Sequence, residues 1–261
     1  MPAQSIIVIS GLGNGTGTGA AVARLFASQL NYRVALVSRP RKEVNELAEE
    51  LNKGGSGQAS VFSVDKYSHE EIKDVFEGIK KTWPDGRLKA AVWNTAQWSN
   101  IPFLDIKESD IRASAELNII AATAFSQQAV RAFTSPSKEG GEEDVGGTLI
   151  FTGATSALRG KEAFGAFAAG KHGLRALSQS IAREYGPKGV HAAFVVIDGT
   201  IVTTRTLSLF ANRAGKESGW LHDEKQRLSP ESIARAYLFL HQQTPDAWTL
   251  EMDLRPAKEK F

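Results

Sequence analysis

Ser10-Gly11-Leu12-Gly13-Asn14-Gly15-Thr16-Gly17-Thr18-Gly19 puts five glycines on alternating positions. They stand between an apolar run at Ser5 to Ser10 and a stretch of helical periodicity from about Gly17 to Leu30. Glycine permits positive φ and lets a backbone approach a ligand without a Cβ, while the following helix start offers unpaired N–H groups and the positive end of its dipole. Strand, glycine turn and helix in that order form a cradle for a pyrophosphate, and a plain flexible turn would need neither flank. Two registers fit the spacing G-x-x-x-G-x-G: Gly11, Gly15 and Gly17, or Gly13, Gly17 and Gly19. The second aligns better with the helix start Ala21-Val22-Ala23 and is preferred.

Outward from this turn, short β-branched runs alternate with longer helical stretches. Further strands are expected at Arg33 to Ser38, Gln58 to Val64, Leu88 to Asn94, Thr148 to Thr152, Val190 to Ile197 and Trp248 to Leu254. Helices are expected at Lys42 to Leu51, Glu70 to Thr82, Ser109 to Phe133, Lys161 to Tyr185 and from Pro230 onward. This pattern predicts an α/β fold, a single Rossmann-type doubly wound parallel sheet of about seven strands with helices on both faces, forming one domain over 1–261. The helix Ser109 to Phe133 is too apolar for one narrow stripe and should bury two faces. Ser135 to Gly147 is polar and glycine-rich, as a mobile surface loop would be.

Composition narrows the function. The chain has 261 residues and a net charge of +2, from 31 basic and 29 acidic residues spread along its length. No concentrated basic field is present for nucleic acid or anionic lipid. Cysteine is absent, which removes disulfides, thiolate nucleophiles and zinc–thiolate sites. The five histidines, at 69, 172, 191, 222 and 241, form no pair at ligand spacing, so no metal site is expected. The run Ile6 to Ile9 is far too short for a membrane span or a signal peptide, and a cytoplasmic location is expected.

An NAD site places an acidic residue about twenty positions beyond the glycines, where it takes the ribose 2′-OH. This chain has Ser38 and Arg39 at the end of its second strand. A hydroxyl and a guanidinium bind a 2′-phosphate that an acid would repel, so NADP(H) is favoured over NAD(H), with Arg41 and Lys42 as helpers or as solvated surface charge.

The glycine turn, Asn94-Thr95-Ala96-Gln97 after the fourth strand, Asn118 in the long helix, and Lys171 four residues after Phe167 together resemble the short-chain dehydrogenase/reductase superfamily, over nearly the whole chain. The resemblance implies that Asn94 and Ala96 hold the adenosine side, that Asp65 contacts the adenine, and that Lys171 binds the nicotinamide ribose. It also implies a catalytic Asn, Ser, Tyr and Lys. Asn118 and Lys171 match two of these, whereas Phe167 stands for the tyrosine and Ala154, thirteen residues earlier, for the serine. The Pro-Gly-x-x-x-Thr that folds over the nicotinamide reads Asp198-Gly199-Thr200-Ile201-Val202-Thr203. The ending Trp248 to Pro256 looks like a divergent subgroup that carries Phe in place of the tyrosine.

In such enzymes the tyrosine hydroxyl protonates the carbonyl oxygen and the serine hydroxyl polarises it. Loss of general acid catalysis lowers rate by ~10²–10⁴, so an unreplaced donor should leave very slow ketone reduction. Asp198 is a candidate replacement, either as a desolvated acid or only as the cap of the next helix. Thr155 and Ser156 can offer a hydroxyl or bond local backbone. Lys171 can itself donate, and His172 is turned about 100° away on the helix. The expected function is an NADP(H)-dependent oxidoreductase of a carbonyl or enone small molecule, the alternative being a nucleotide-binding protein without turnover. Thr203 to Leu228, with Leu207, Leu209, Phe210, Trp220 and Leu221, reads as a substrate lid, and Trp93, Trp98 and Phe103 as an opposite wall. By family analogy the two longest helices pack in a homodimer or homotetramer.

Overall fold

The computed structural model describes residues 4–53, 59–136, 145–211, 220 and 223–259. Seven strands form one sheet: β1 Ser5–Ser10, β2 Arg33–Ser38, β3 Ala59–Ser63, β4 Arg87–Trp93, β5 Gly147–Thr152, β6 Val190–Ile197 and β7 Glu251–Leu254. All pairings are parallel, in the order β3-β2-β1-β4-β5-β6-β7. Strands covered on both faces read as continuous apolar runs, and β6 is buried at every position.

The helices are α1 Thr18–Leu30, α2 Lys42–Lys53, α3 His69–Thr82, α4 Glu108–Ala115, α5 Ala121–Thr134, α6 Gly165–Tyr185, α7 Thr204–Ala211 and α8 Pro230–His241. One face of the sheet packs on α1, α2 and α8, through Phe26, Leu47 and Tyr237 among others. The other packs on α3, α5 and α6, through Ile72, Phe125 and Leu174. Local chemistry sets the ends. Ser68 and Glu71 form a reciprocal capping box on α3, and Ser229 accepts from Ser232 N ahead of Pro230 at the first turn of α8.

Three expectations change, the first being the last strand, which starts at Glu251 instead of Trp248. The long helix is interrupted by a five-residue π turn, Glu116–Ile120, between α4 and α5. Helix α6 begins at Gly165 instead of Lys161, because Ala163 takes a left-handed φ of 63° and reverses the chain before the helix can start. Of the polar loop, residues 137–144 lie outside the described residues, as do 212–219, 221 and 222 of the expected lid. No helix among the described residues is long and apolar enough to cross a membrane.

Candidate functional site

The strand order reverses direction between β1 and β4, and ligands of open parallel sheets bind in the crevice beyond the strand ends at such a point. A cleft of about 1290 Å³ opens there, lined by the glycine turn, the exits of β4, β5 and β6, and one face of α6.

The geometry of the turn distributes three jobs. Gly11, at φ 90°, leaves β1 so close to β4 that a Cβ would lie 2.5 Å from the Asn94 carbonyl carbon. Asn94 Nδ2 donates to Gly11 O at 2.5 Å, which fixes that approach. Gly19 lets α1 seat against the turn, since a Cβ there would stand 2.6 Å from Gly11 O. Gly17, the N-cap of α1, has among the described residues only Thr203 Cγ2 near its Cβ position, at 3.8 Å. Tight turn, open approach and close helix packing thus fall on Gly11, Gly17 and Gly19, and the turn is two residues longer than either register expected. Gly13 takes a positive φ of 59° but, among the described residues, has no heavy atom within 4 Å of its Cβ position. The added length is tied down: Asn14 Nδ2 donates to Thr204 Oγ1 and Thr16 Oγ1 to Asn14 Oδ1 at 2.8 Å, fastening the turn to the first turn of α7.

Ser38, Arg39 and Arg41 line one end of the cleft, together with Tyr67. Arg39 Nε donates to Asp65 O at 3.0 Å and its guanidinium carbon sits 5.8 Å from the Tyr67 ring centroid. The Asp65 side chain is exposed and does not line the cleft, although its carbonyl anchors Arg39. Ser38 Oγ donates to the Arg39 carbonyl at 2.7 Å. Lys42 pairs with Glu46 at 3.2 Å, outside the cleft lining. Asn94 and Ala96 line the cleft floor.

At the other end Lys171 is 2% exposed. Its Nζ donates to Thr152 O at 2.8 Å and stands 5.9 Å from the Phe167 ring centroid. Burial pushes its pKa down to about 7, because the charged amine loses water and gains no carboxylate. The i, i+4 spacing puts Phe167 and Lys171 on one face of α6, and both line the cleft with Ala154. His172 does not, and its Nδ1 pairs with Ala168 O at 2.9 Å. Asn118 lies in the π turn, fully buried and behind the cleft lining. Its Nδ2 donates to Ser114 O at 3.0 Å, and its Oδ1 is buried without a hydrogen-bond partner among the described residues. Gly170 lets α6 pass this close, for a Cβ would lie 2.8 Å from Asn118 Nδ2.

Asp198, 4% exposed, accepts a hydrogen bond from Thr155 Oγ1 at 2.5 Å and lies 3.8 Å from Arg255 Nη1. The capping alternative for Asp198 is corrected: the next helix is α7, and Thr203 Oγ1 accepts from Thr206 N there at 3.2 Å. Gly199, at φ 152°, passes beneath Pro256, and Thr203 faces the glycine turn across the cleft. The Thr155–Asp198 bond was missed in the sequence. Its signal lies in strand pairing, since Thr152 is opposite Val195 in the β5–β6 register and both side chains sit three residues further on.

The expected aromatic wall is also revised. Trp93 is fully buried, its ring against Tyr67 and Phe125, because the pleat of β4 turns its last residue into the helical layer. Phe103 is 79% exposed and outside the cleft lining. Trp98 does line the cleft and meets Phe164 edge-on at 6.0 Å. Leu221 and the side chains of Leu209 and Phe210 lie outside the described residues.

Among known proteins, carbonyl reductase family member 4 of Xenopus tropicalis is 26% identical over 230 residues, covering 87% of this chain and 88% of the relative. A crystal structure of a short-chain dehydrogenase from Rhodopseudomonas palustris superimposes with a TM-score of 0.75 at 27% identity, over 97% of this chain and 99% of that one. L-Sorbose reductase from Gluconobacter frateurii, crystallised with NADPH and L-sorbose, shares the fold at a TM-score of 0.82 and 20% identity, with full coverage of both chains. The family model described as short chain dehydrogenase matches residues 5–213, from β1 to just past α7, and the chain belongs to that family.

Proposed function

We propose that this protein is an NADP(H)-dependent short-chain oxidoreductase of a carbonyl or a conjugated enone, with Lys171 in the place of proton donor. The observation that carries this reading is the pairing of a buried amine with two side chains that offer no proton. Phe167 and Ala154 line the cleft together with Lys171, and in our reading they stand where the family resemblance implies a tyrosine and a serine.

The residues fit the nucleotide. Helix α1 carries no acid in its first turn and no side-chain cap, so its N–H groups are free for a pyrophosphate. Arg39, braced by Asp65 O and Tyr67, suits a 2′-phosphate, and this supports NADP(H) over NAD(H). Asn94, Ala96, Gly199 and Thr203 border the cleft between its ends and would hold the rest. When bound, the nicotinamide supplies or accepts hydride.

The chain's own task is then the proton. Lys171, at a pKa of about 7, holds a transferable proton near neutrality, which an ordinary lysine does not release. Asp198 is not given this role in our reading, since its carboxyl group is engaged with Thr155 Oγ1 at 2.5 Å and lies 3.8 Å from Arg255 Nη1. It positions Thr155 instead. An alkene conjugated to a carbonyl asks less of a proton donor than a simple ketone, which inclines the reading toward enones. For assembly we propose a homo-oligomer packed through the long helices, where Ile119 and Ile120 are exposed.

A second reading, a nucleotide-binding protein without turnover, draws on the absence of a hydroxyl at 154 and 167. The measurement that separates them is NADPH consumption across aldehydes, ketones and enones. Oxidation with an enone supports the reductase, and tight NADPH binding with no consumption across the panel defeats it. The double variant Ala154→Ser with Phe167→Tyr should reduce ketones ~10²–10⁴-fold faster than the parent.

A further inference from the structure

One aromatic wall in the cleft has an amine at each end. Lys171 Nζ lies 5.9 Å from the Phe167 centroid, Phe167 is 6.3 Å from Phe164, and Lys161 Nζ lies 5.9 Å from Phe164. The inner amine is buried at the inner end of the cleft, whereas Lys161 and its near neighbour Arg159 are exposed and line it.

The cleft lining is far more basic than the chain. Among the described residues Arg39, Arg41, Arg159, Lys161, Lys171 and Arg205 border it, against Asp198 and Glu259, although the whole chain has 31 basic and 29 acidic residues. Four of these cations have other places. Arg39 and Arg41 follow β2, Arg205 follows the Thr204 that is bonded to the glycine turn, and Lys171 lies at the reacting end. Arg159 and Lys161 remain, on the loop between β5 and α6. Neither forms an ion pair among the described residues, and Glu162 beside them does not line the cleft.

A solvated surface charge needs no apolar floor leading to a buried amine. These two have one. We infer that Arg159 and Lys161 recognise a carboxylate on the substrate, whose unsaturated or aryl body lies along Trp98, Phe164 and Phe167 with its reacting group toward Lys171. A guanidinium fork matches a carboxylate bidentately, and cleft walls concentrate the field of both cations. The substrate class rests on the oxidoreductase reading, but the anion subsite does not.

The test uses benzoylacrylate, an aryl enone acid, and its uncharged methyl ester, titrated calorimetrically into protein loaded with NADP⁺. Two exposed ion pairs should make the acid bind roughly fivefold to tenfold tighter than the ester. Replacing Arg159→Ala together with Lys161→Ala, or raising the salt, should bring the acid to within about twofold of the ester. Equal binding of acid and ester, binding of neither, or a preference that survives the double replacement overturns the inference. NADPH oxidation is followed separately. An acid preference with no NADPH oxidation in the presence of either probe keeps the subsite and removes the reductase reading, while NADPH oxidation with both probes at equal affinities does the reverse.

Discussion

Lys171 is where the fold works against itself. An amine with a pKa of about 7 in the folded chain and 10.5 when unfolded is charged in both states below pH 7, and there burial costs stability in full. Between about 7 and 10.5 the unfolded chain holds the extra proton, so stability should rise with pH across that window, by at most about tenfold in the folding equilibrium per pH unit. Urea unfolding of Lys171→Met should show a higher midpoint at pH 7 and a flatter pH slope, together with loss of NADPH oxidation. An unchanged slope would mean that the amine is hydrated in solution. The sequence shows this lysine clearly because one helical period places Phe167 and Lys171 on a common face. It hides the Thr155–Asp198 bond, since those residues meet only once β5 and β6 are paired in register. Trp93 misleads for the same reason, because strand parity, not residue type, turns it into the core.

At the scale of elements, the glycine turn and α1 separate two effects that sequence spacing merges. A methyl at Gly19 would meet Gly11 O at 2.6 Å, so Gly19→Ala should force α1 outward and cost about 1–3 kcal/mol in thermal or urea unfolding without nucleotide. A methyl at Gly17 meets nothing nearer than 3.8 Å on an extended backbone, so Gly17→Ala should change stability by less than about 0.5 kcal/mol yet weaken NADPH binding. Equal nucleotide affinity in Gly17→Ala and the parent would take that residue out of the approach surface. The alternation of strands and helices was readable because buried parallel strands leave apolar runs and amphipathic helices leave a period. The π turn at Glu116–Ile120 was not, for its composition matches the flanking helix and only packing against α6 distinguishes it.

Across the whole molecule, the sheet order and the two helical layers follow from the alternating pattern, whereas the closing of the cleft depends on contacts between distant ends of the chain. Lys258 donates from its backbone N to Lys225 O at 2.7 Å and from Nζ to Asp223 at 2.8 Å, and Glu259 reaches the cleft lining. Across the cleft, Asn14 and Thr16 reach the first turn of α7 nearly two hundred residues later in the chain. The glycine turn and the start of α7 are therefore joined, and α7 should not move away without loosening the turn. The kinetic consequence is a compulsory sequence of events in which the nucleotide enters first and leaves last. Product inhibition should follow that order, with NADP⁺ competitive toward NADPH and the organic product noncompetitive toward it. Patterns of random addition would show instead that the glycine turn and α7 part freely in each turnover.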